Sequence, residues 1–471
     1  MRKQIDILSD NIKPGKIIWY LAWPAVLEQL LITFVQFVDT AMVGALGENA
    51  TASVAVSTST TWLVNGIFAA LGVGFSVLVG KGIGAKDYDY AKRVVRQSII
   101  GILGFGLLIM LIIEIVAPHL PAWMGADPAI YKDATAYLSI VAYAYVFSLA
   151  LAVASATLRC AGDTRTPLLF NIATNVINII LNYLFILPQH EVSIFEKTIT
   201  IWGANMGVSG AALATAISIT FSGIMLVLIL FIKKYPAQIS IRDKIRFDKR
   251  IWKDVTKLGI PVALERITLS TGQLVMTAMV TGLGTTALAS HHLAITAEGL
   301  TYMPAFGISA AATTLVAQSL GANRPDKALN FGRLCNIAGV IFMSAMGVVL
   351  FLFAEPLISI FTPSREVIEL GAKVLKLEAF AQPFFALAMV ASGALRGAGD
   401  TKWPFYISII GMWCVRLGIA YVFAYPLGMG LFGAWIGMVS DVVSRGVLTL
   451  LRFRSKKWLT CASFSGSKPL K

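Results

Sequence analysis

Leu158-Arg159-Cys160-Ala161-Gly162-Asp163-Thr164 and Leu395-Arg396-Gly397-Ala398-Gly399-Asp400-Thr401 are the same turn written twice, followed by Pro167 and Pro404. The offset is 237 residues (Arg159 to Arg396), and it holds outward from this turn in the N-terminal direction. Pro24 matches Pro261, Glu28 matches Glu265, and Gln36 matches Gln273. Thr40-Ala41-Met42-Val43 matches Thr277-Ala278-Met279-Val280, and Gly84-Ala85 matches Gly321-Ala322. Chance does not keep one register this long, so the chain is two copies of one unit. In the C-terminal direction the offset drops to 223 (Gly210 to Gly433). The first copy therefore carries 14 extra residues, assigned to a polar outside loop around His190 to Lys197.

The copies are apolar. Of 471 residues, 57% are hydrophobic and 14% charged, with a mean hydropathy of +0.75. A soluble domain carries roughly 25% charged residues, and disorder needs low hydrophobicity; both classes are excluded. One helical span takes about 20 apolar residues, and twelve such stretches occur. In the first copy they cover 17–43, 52–80, 94–117, 134–157, 167–187 and 208–232; in the second, 255–282, 286–318, 331–353, 370–394, 404–425 and 429–450. The first 16 residues are polar, and no small-residue cleavage site follows, so the first stretch is expected to stay as a span.

The net charge is +14. With both termini placed in the cytoplasm, 31 of the 39 lysines and arginines fall on the inside. That bias orients the chain in a plasma membrane and explains the charge without a nucleic-acid partner. Six spans per copy make each copy enter and leave on the same side, so an axis along the membrane normal relates them. The expected architecture is all-α: two six-helix bundles over 1–232 and 255–450, a basic cytoplasmic linker at 233–254 and a tail at 451–471. Facing bundles with a cleft between them suit alternating access. Each Leu-Arg-x-Ala-Gly-Asp-Thr turn is expected to be tied by its own arginine and aspartate.

Cys160, Cys335, Cys414 and Cys461 form no CxxC pair and imply neither disulfides nor a metal site. Gly74 to Gly82 fails the P-loop pattern, lacking its spacing and the Ser/Thr after the lysine. No nucleophile, base and partner converge, so no enzyme and no cofactor are expected. Transport would run on an ion gradient; one charge crossing 100 mV supplies about 2.3 kcal/mol. That sustains a concentration ratio of roughly forty-fold.

A carboxylate at mid-bilayer costs about 2.5–3.5 kcal/mol on insertion scales, so each needs a reason. Asp39 in span 1 has Met276 as its repeat counterpart, so the scaffold does not demand it. Asn171, Asn175, Asn178 and Asn182 lie on one face of span 5. Their counterparts are Ser408, Met412, Val415 and Ile419. One carboxylate with amide oxygens suits a hard monovalent cation, with Na⁺ a candidate at Asp39, Asn178 and Asn182. Asn171 and Asn175 read as helix-packing contacts. The second copy has Glu265 (beside Arg266), Glu298 and Glu378 as candidate coupling or substrate acids; the symmetry of Glu265 with Glu28 also fits a structural role. Pro24, Pro261 and Pro304 each remove a helix hydrogen bond and mark hinges or kinks.

These residues resemble the multidrug and toxic compound extrusion (MATE) family, in its bacterial NorM-like branch. The likeness rests on Val38 to Gly44, Leu158 to Pro167, Asn178-Ile179-Ile180-Leu181-Asn182-Tyr183, Gly210 to Thr215, Glu298 to Gly307 and Leu395 to Pro404. It implies efflux of organic, often cationic, amphipathic compounds in exchange for Na⁺ or H⁺. The family's first-half cation site maps onto Asp39, Asn178, Asn182 and Thr215. Some proton-coupled relatives carry aspartate where Asn182 stands, so both ions remain open. The family's span 7 acid has Glu265 nearby, about one turn earlier than in several members. Gln36, Trp62, Gln273 and Tyr302 are candidates to line the cavity. The expected partners are small organic substrates and the lipid bilayer, with the monomer as the working unit. Rival readings are a flippase for a lipid-linked saccharide, which would want a cationic cleft and has only Arg266, Arg416 and Arg445 inside the bilayer, and a passive channel.

Overall fold

With no water in the hydrocarbon core, every backbone N–H and C=O must be paired inside its own segment, which forces apolar stretches into helices. The computed structural model describes residues 7–194, 197–233, 235–240, 242–243 and 246–462. Each of the twelve stretches forms a helical span. In the first half these are α1 (Pro14–Gly44), α2 (Glu48–Gly84), α3 (Tyr88–Val116), α4 (Pro128–Tyr143 with Tyr145–Cys160), α5 (Arg165–Ile186) and α6 (Gly207–Ile232). In the second they are α7 (Lys249–Thr281), α8 (Thr285–Gly321), α9 (Pro325–Leu352), α10 (Arg365–Ala379 with Gln382–Ala398), α11 (Lys402–Ala424) and α12 (Gly430–Arg454). Eleven are long and apolar enough to cross a membrane, three of them as bent pairs. The twelfth, α7, carries Glu265 and Arg266 at mid-length and is less apolar.

The bends fall at equivalent places. α4 turns by 50° at Ala144 and α10 by 54° around Ala381, its repeat counterpart. In α10 Pro383 cannot bond the Ala379 carbonyl. α4 has Val146 there and bends equally, so packing sets the angle and the proline only accommodates it. α8 bends by 43° between Gly299 and Thr301, where Pro304 leaves the residue-300 carbonyl without its helical donor. The 14-residue excess in the first half is an antiparallel hairpin, not an irregular loop: β1 (Pro188–Ile194) pairs with β2 (Lys197–Ala204). Short apolar–polar alternation on both sides of the tip gives the strand period. Phe195 and Glu196 at the tip lie outside the described residues, as do Arg2, Lys3, Lys234, Lys244, Lys468 and Lys471 among the basic residues counted above.

Packing crosses the covalent division at the linker. Ile17, Ile18, Leu21 and Ala22 of α1 sit in a core built from the second half, with Ile308 to Leu320 of α8 and Val390 to Ala398 of α10. Reciprocally, Ile251, Val255 and Leu258 of α7 sit in the first-half core with Phe75 to Val79 of α2. Beyond Pro24, α1 returns to its own half and packs along α5. The far ends of α2 and α8 meet at the pseudo-axis. A side chain on Gly84 would collide with the Gln318 carbonyl, and one on Gly321 with the Lys81 carbonyl. Lys81 and Gln318 are themselves repeat counterparts. Lys81 Nζ donates to Ala398 O at 2.7 Å and Gln318 Nε2 to Cys160 O at 2.7 Å, each reaching the turn of the opposite half.

The twin turns are fastened differently from the sequence expectation. Arg159 donates to both oxygens of Glu28 at 2.9 Å, and Arg396 to both oxygens of Glu265 at 2.8 and 2.9 Å. The arginines thus clamp the turns to α1 and α7, not to their own aspartates. Asp163 instead accepts from Thr166 N–H and from Lys233, and Asp400 accepts from Arg452. A guanidinium buried against apolar helices needs a carboxylate beside it, and each aspartate, at the far end of its turn, is already taken by another cation. At that end Asp10 bridges Arg324 at 2.9 Å and Lys327 at 2.8 Å, while Ile7 is buried beside Gly162.

Glu265→Gln should cost about 3–5 kcal/mol, because it strands Arg396 without a counter-charge. Melting of the purified protein in detergent reads this; joint replacement of Glu265 and Arg396 by leucine should recover most of the loss. The cations of Arg324 and Lys327 hold the Asp10 carboxyl down at about 2, below its ordinary 3.8. A lowered carboxyl pKa stabilises above the unfolded value and loses that stability as pH falls through the folded one. Amide protection of residues 7–13, corrected for intrinsic exchange, should be constant above pH 4 and fall as the pH approaches about 2.

Candidate functional site

Asp39 lies five residues from the C-terminus of α1, and Asn182 four from that of α5, so the two meet near the same end of the bundle. Asn182 Nδ2 donates to Asp39 Oδ1 at 2.5 Å and to Asn178 Oδ1 at 3.1 Å. Asn178 Nδ2 in turn donates to Thr215 Oγ1 on α6 at 3.3 Å. Both amide nitrogens are therefore spent within the cluster, and the oxygens are what it presents. Asn182 Oδ1 is buried without a hydrogen-bond partner, and Asp39 forms no ion pair among the described residues. A carboxylate, amide oxygens and a hydroxyl oxygen with spare lone pairs can accept a proton or ligate a hard cation such as Na⁺. The other half of the stripe is closed on itself: Asn175 Nδ2 donates to Asn171 Oδ1 at 3.2 Å, both side chains buried.

The second-half acids do not gather into an equivalent site. Glu265 is engaged by Arg396, with Ser408 Oγ at 3.5 Å, and not by Arg266, whose guanidinium lies over the Phe306 ring. Glu298 and Glu378 are buried within electrostatic reach of each other, and both Glu378 oxygens lack a hydrogen-bond partner. One turn after Glu378, both polar atoms of Gln382 are likewise buried and unpartnered. Neither glutamate forms an ion pair among the described residues.

Known proteins match over nearly the whole chain. The family model MatE matches residues 24–184 and again 261–422, one match per repeat. The chain belongs to the MatE family. Its relatives include a probable multidrug resistance protein NorM of Thermotoga maritima, 32% identical over 93% of this chain and 92% of the relative. An uncharacterized transporter YisQ of Bacillus subtilis is 26% identical over 93% of this chain and 94% of its own. A multidrug resistance MATE family transporter of the MOP superfamily, solved in an outward-facing conformation, superposes with a TM-score of 0.87 at 23% identity, covering 97% of this chain and 99% of its own. That likeness establishes the two-lobe helical fold, and membership of the MatE family makes the chain a multi-pass membrane transporter and not an enzyme.

Two groups escape the sequence reading of this MatE chain. Tyr137 of α4 is buried within electrostatic reach of Asp39 and close to Thr215. Asp441 of α12 is fully buried between Arg416, at 2.9 Å, and Arg445, at 2.7 Å. Arg416 also donates to Gln273 Oε1 at 3.0 Å. It ends a π-helical stretch, Ile410–Arg416, at a place where α5 is regular α-helix. Aspartate in span 12 and arginine in span 11 were the available signal, each a charge in an apolar run. Of the remaining candidates for lining the cavity, Gln36 and Trp62 are exposed, and Tyr302 lies 5.2 Å from Phe385, ring to ring.

Asn175→Ala removes an i,i+4 side-chain hydrogen bond within α5; it should cost about 0.2–0.5 kcal/mol of stability and leave transport intact. Asn182→Ala should reduce cation-driven transport at least ten-fold at equal expression. Parallel vesicle assays of the two variants check the contrast.

Proposed function

We propose that this chain is a secondary multidrug exporter, exchanging organic, often cationic, amphipathic compounds for Na⁺ or H⁺ by alternating access. The observation that carries the reading is the unpaired Asp39 held against Asn182, at a position where the repeat has Met276. A charge that neither scaffold nor partner requires is there to bind something. The names of relatives such as the Thermotoga NorM point the same way.

Bound cation and carboxylate neutralise each other, which draws α1 toward the oxygens of α5 and α6. The first turns of α1 are anchored in the opposite half and its last turns carry Asp39. Movement at Asp39 therefore loads the segment around Pro24, where the helix lacks one hydrogen bond. A cationic compound in the cleft and the coupling cation compete for one negative field, which is a coupling free energy between two sites. Tyr302 with Phe385, Trp62 and Gln36 would supply aromatic and polar contacts for the compound. Glu298 and Glu378 are a second place where a proton or cation would offset buried charge. We further assign both termini to the cytoplasm of a bacterial inner membrane and the monomer as the working unit.

A flippase for lipid-linked saccharides is the rival. Of the three arginines that would hold an anionic headgroup, Arg416 and Arg445 are committed to Asp441, which leaves Arg266 alone and weighs against it.

The test is dye efflux in inverted vesicles under a Na⁺ gradient and, separately, a pH gradient. One gradient should drive efflux, and Asp39→Asn should abolish the dependence at least ten-fold. Efflux under neither gradient, or a variant indistinguishable from wild type, would overturn the reading.

A further inference from the structure

The linker does more than join the halves. Its last described residues fold back on the start of α3, and a cavity of about 440 Å³ opens between them. Arg93 and Arg96 face it from α3; Arg246, Phe247, Lys249 and Arg250 face it from the linker and the first turn of α7. Arg96 has Asp243 at 4.0 Å, whereas Arg93, Arg246, Lys249 and Arg250 form no ion pair among the described residues. Asp248 also lines the cavity, but its carboxylate caps α7, accepting from Arg250 N–H at 2.9 Å and Ile251 N–H at 3.4 Å. The helix N-terminus is thus already satisfied, and an incoming anion would meet side-chain cations.

The cavity wall is fixed by buried chemistry. Gln97 Nε2 donates to Arg246 O at 2.5 Å, and its Oε1 accepts from Asp248 N–H at 3.1 Å and Trp252 Nε1 at 3.0 Å. Phe247 stacks on Trp252 and stays 65% exposed, the kind of ring that interfaces between water and lipid favour. Below the cavity the same face of α3 continues through Ile100, Leu103, Leu107 and Leu111 at helical spacing. The last three are half exposed or nearly so, and thus face the bilayer hydrocarbon. Cations above and an apolar stripe directly below match the two ends of a phospholipid.

We propose that this cavity binds the phosphate headgroup of one anionic phospholipid from the adjacent leaflet, with its acyl chains along the α3 stripe. Basic pockets beside membrane helices recognise anionic headgroups, and juxtamembrane lysines and arginines each contribute measurably. Arginine adds a planar fork that fits phosphate oxygens in pairs. The site goes beyond the transport reading and stands apart from it, since neither Asp39 nor the cleft takes part.

Native mass spectrometry of the full-length protein, titrated with phosphatidylglycerol, phosphatidylcholine or inorganic phosphate, tests the assignment. Phosphatidylglycerol should remain bound to the wild type. Joint Arg93→Ala and Arg246→Ala replacement should weaken it roughly thirty-fold, the effect of removing two such cations. Joint replacement of both arginines by lysine should keep binding within several-fold, with the melting temperature unchanged in both variants. Equal retention of phosphatidylcholine, or no effect of the alanine pair, would overturn the proposal. So would inorganic phosphate binding as tightly as phosphatidylglycerol, which would mark a soluble-anion site instead. Dye efflux enters none of these readouts, so failure here and failure of the exporter reading are distinguishable.

Discussion

Two carboxylate–guanidinium pairs set the frame on which everything else in this molecule hangs. Glu28–Arg159 and Glu265–Arg396 occupy the same repeat positions and join residues the same 131 positions apart. Each fastens the first helix of a half, four residues past its proline, to the turn between that half's fourth and fifth spans. A lone charge at that depth is prohibitive, so neither partner can leave without the other. The first helix is consequently held twice: by this clamp within its own half, and by its opening turns within the core of the other half. The stretch between those fixings is where relative motion of the halves must be absorbed.

Against that symmetric frame the cluster around Asp39 has no equivalent in the second half. Where α5 carries four asparagines, the matching stretch of α11 carries Met412, Val415 and a π-helical turn ending at Arg416. The first half therefore offers oxygens around an unpaired carboxylate. The second keeps its aspartate buried between two arginines. Duplicated scaffold and unduplicated charge together separate what holds the fold from what, on our proposal, acts on ions. The test is internal to the chain: a charged residue with a charged counterpart is structural, and one facing an apolar counterpart calls for another explanation.

Span number, repeat and the first-half cluster were legible because each follows from periodicity or from a charge in an apolar run. Asp39, Asn178 and Asn182 meet as a charge and an amide stripe suggested, and Thr215, supplied by the family resemblance alone, joins them. Proximity in sequence points the twin-turn arginines to Asp163 and Asp400, but Lys233 and Arg452 take those aspartates, and the arginines reach Glu28 and Glu265 instead. The recurring separation was the overlooked clue. The α4 and α10 bends left little trace, since one has a proline and the other does not. The hairpin at 188–204 looked like a polar loop because its apolar residues alternate over too few positions to stand out.

The meeting of Gly84 with Gly321 has a consequence for how such a molecule could arise. Each glycine touches the backbone of the residue that corresponds to its own neighbour three positions back, Gln318 or Lys81. A single ancestral half would make this contact with a second copy of itself, as in a two-fold homodimer, where one substitution is felt on both sides at once. Fusion frees the copies to diverge. Lys81 and Gln318 already differ, yet each still reaches a carbonyl of the opposite turn. The geometry of the seam outlasts the identity of the side chains that sew it.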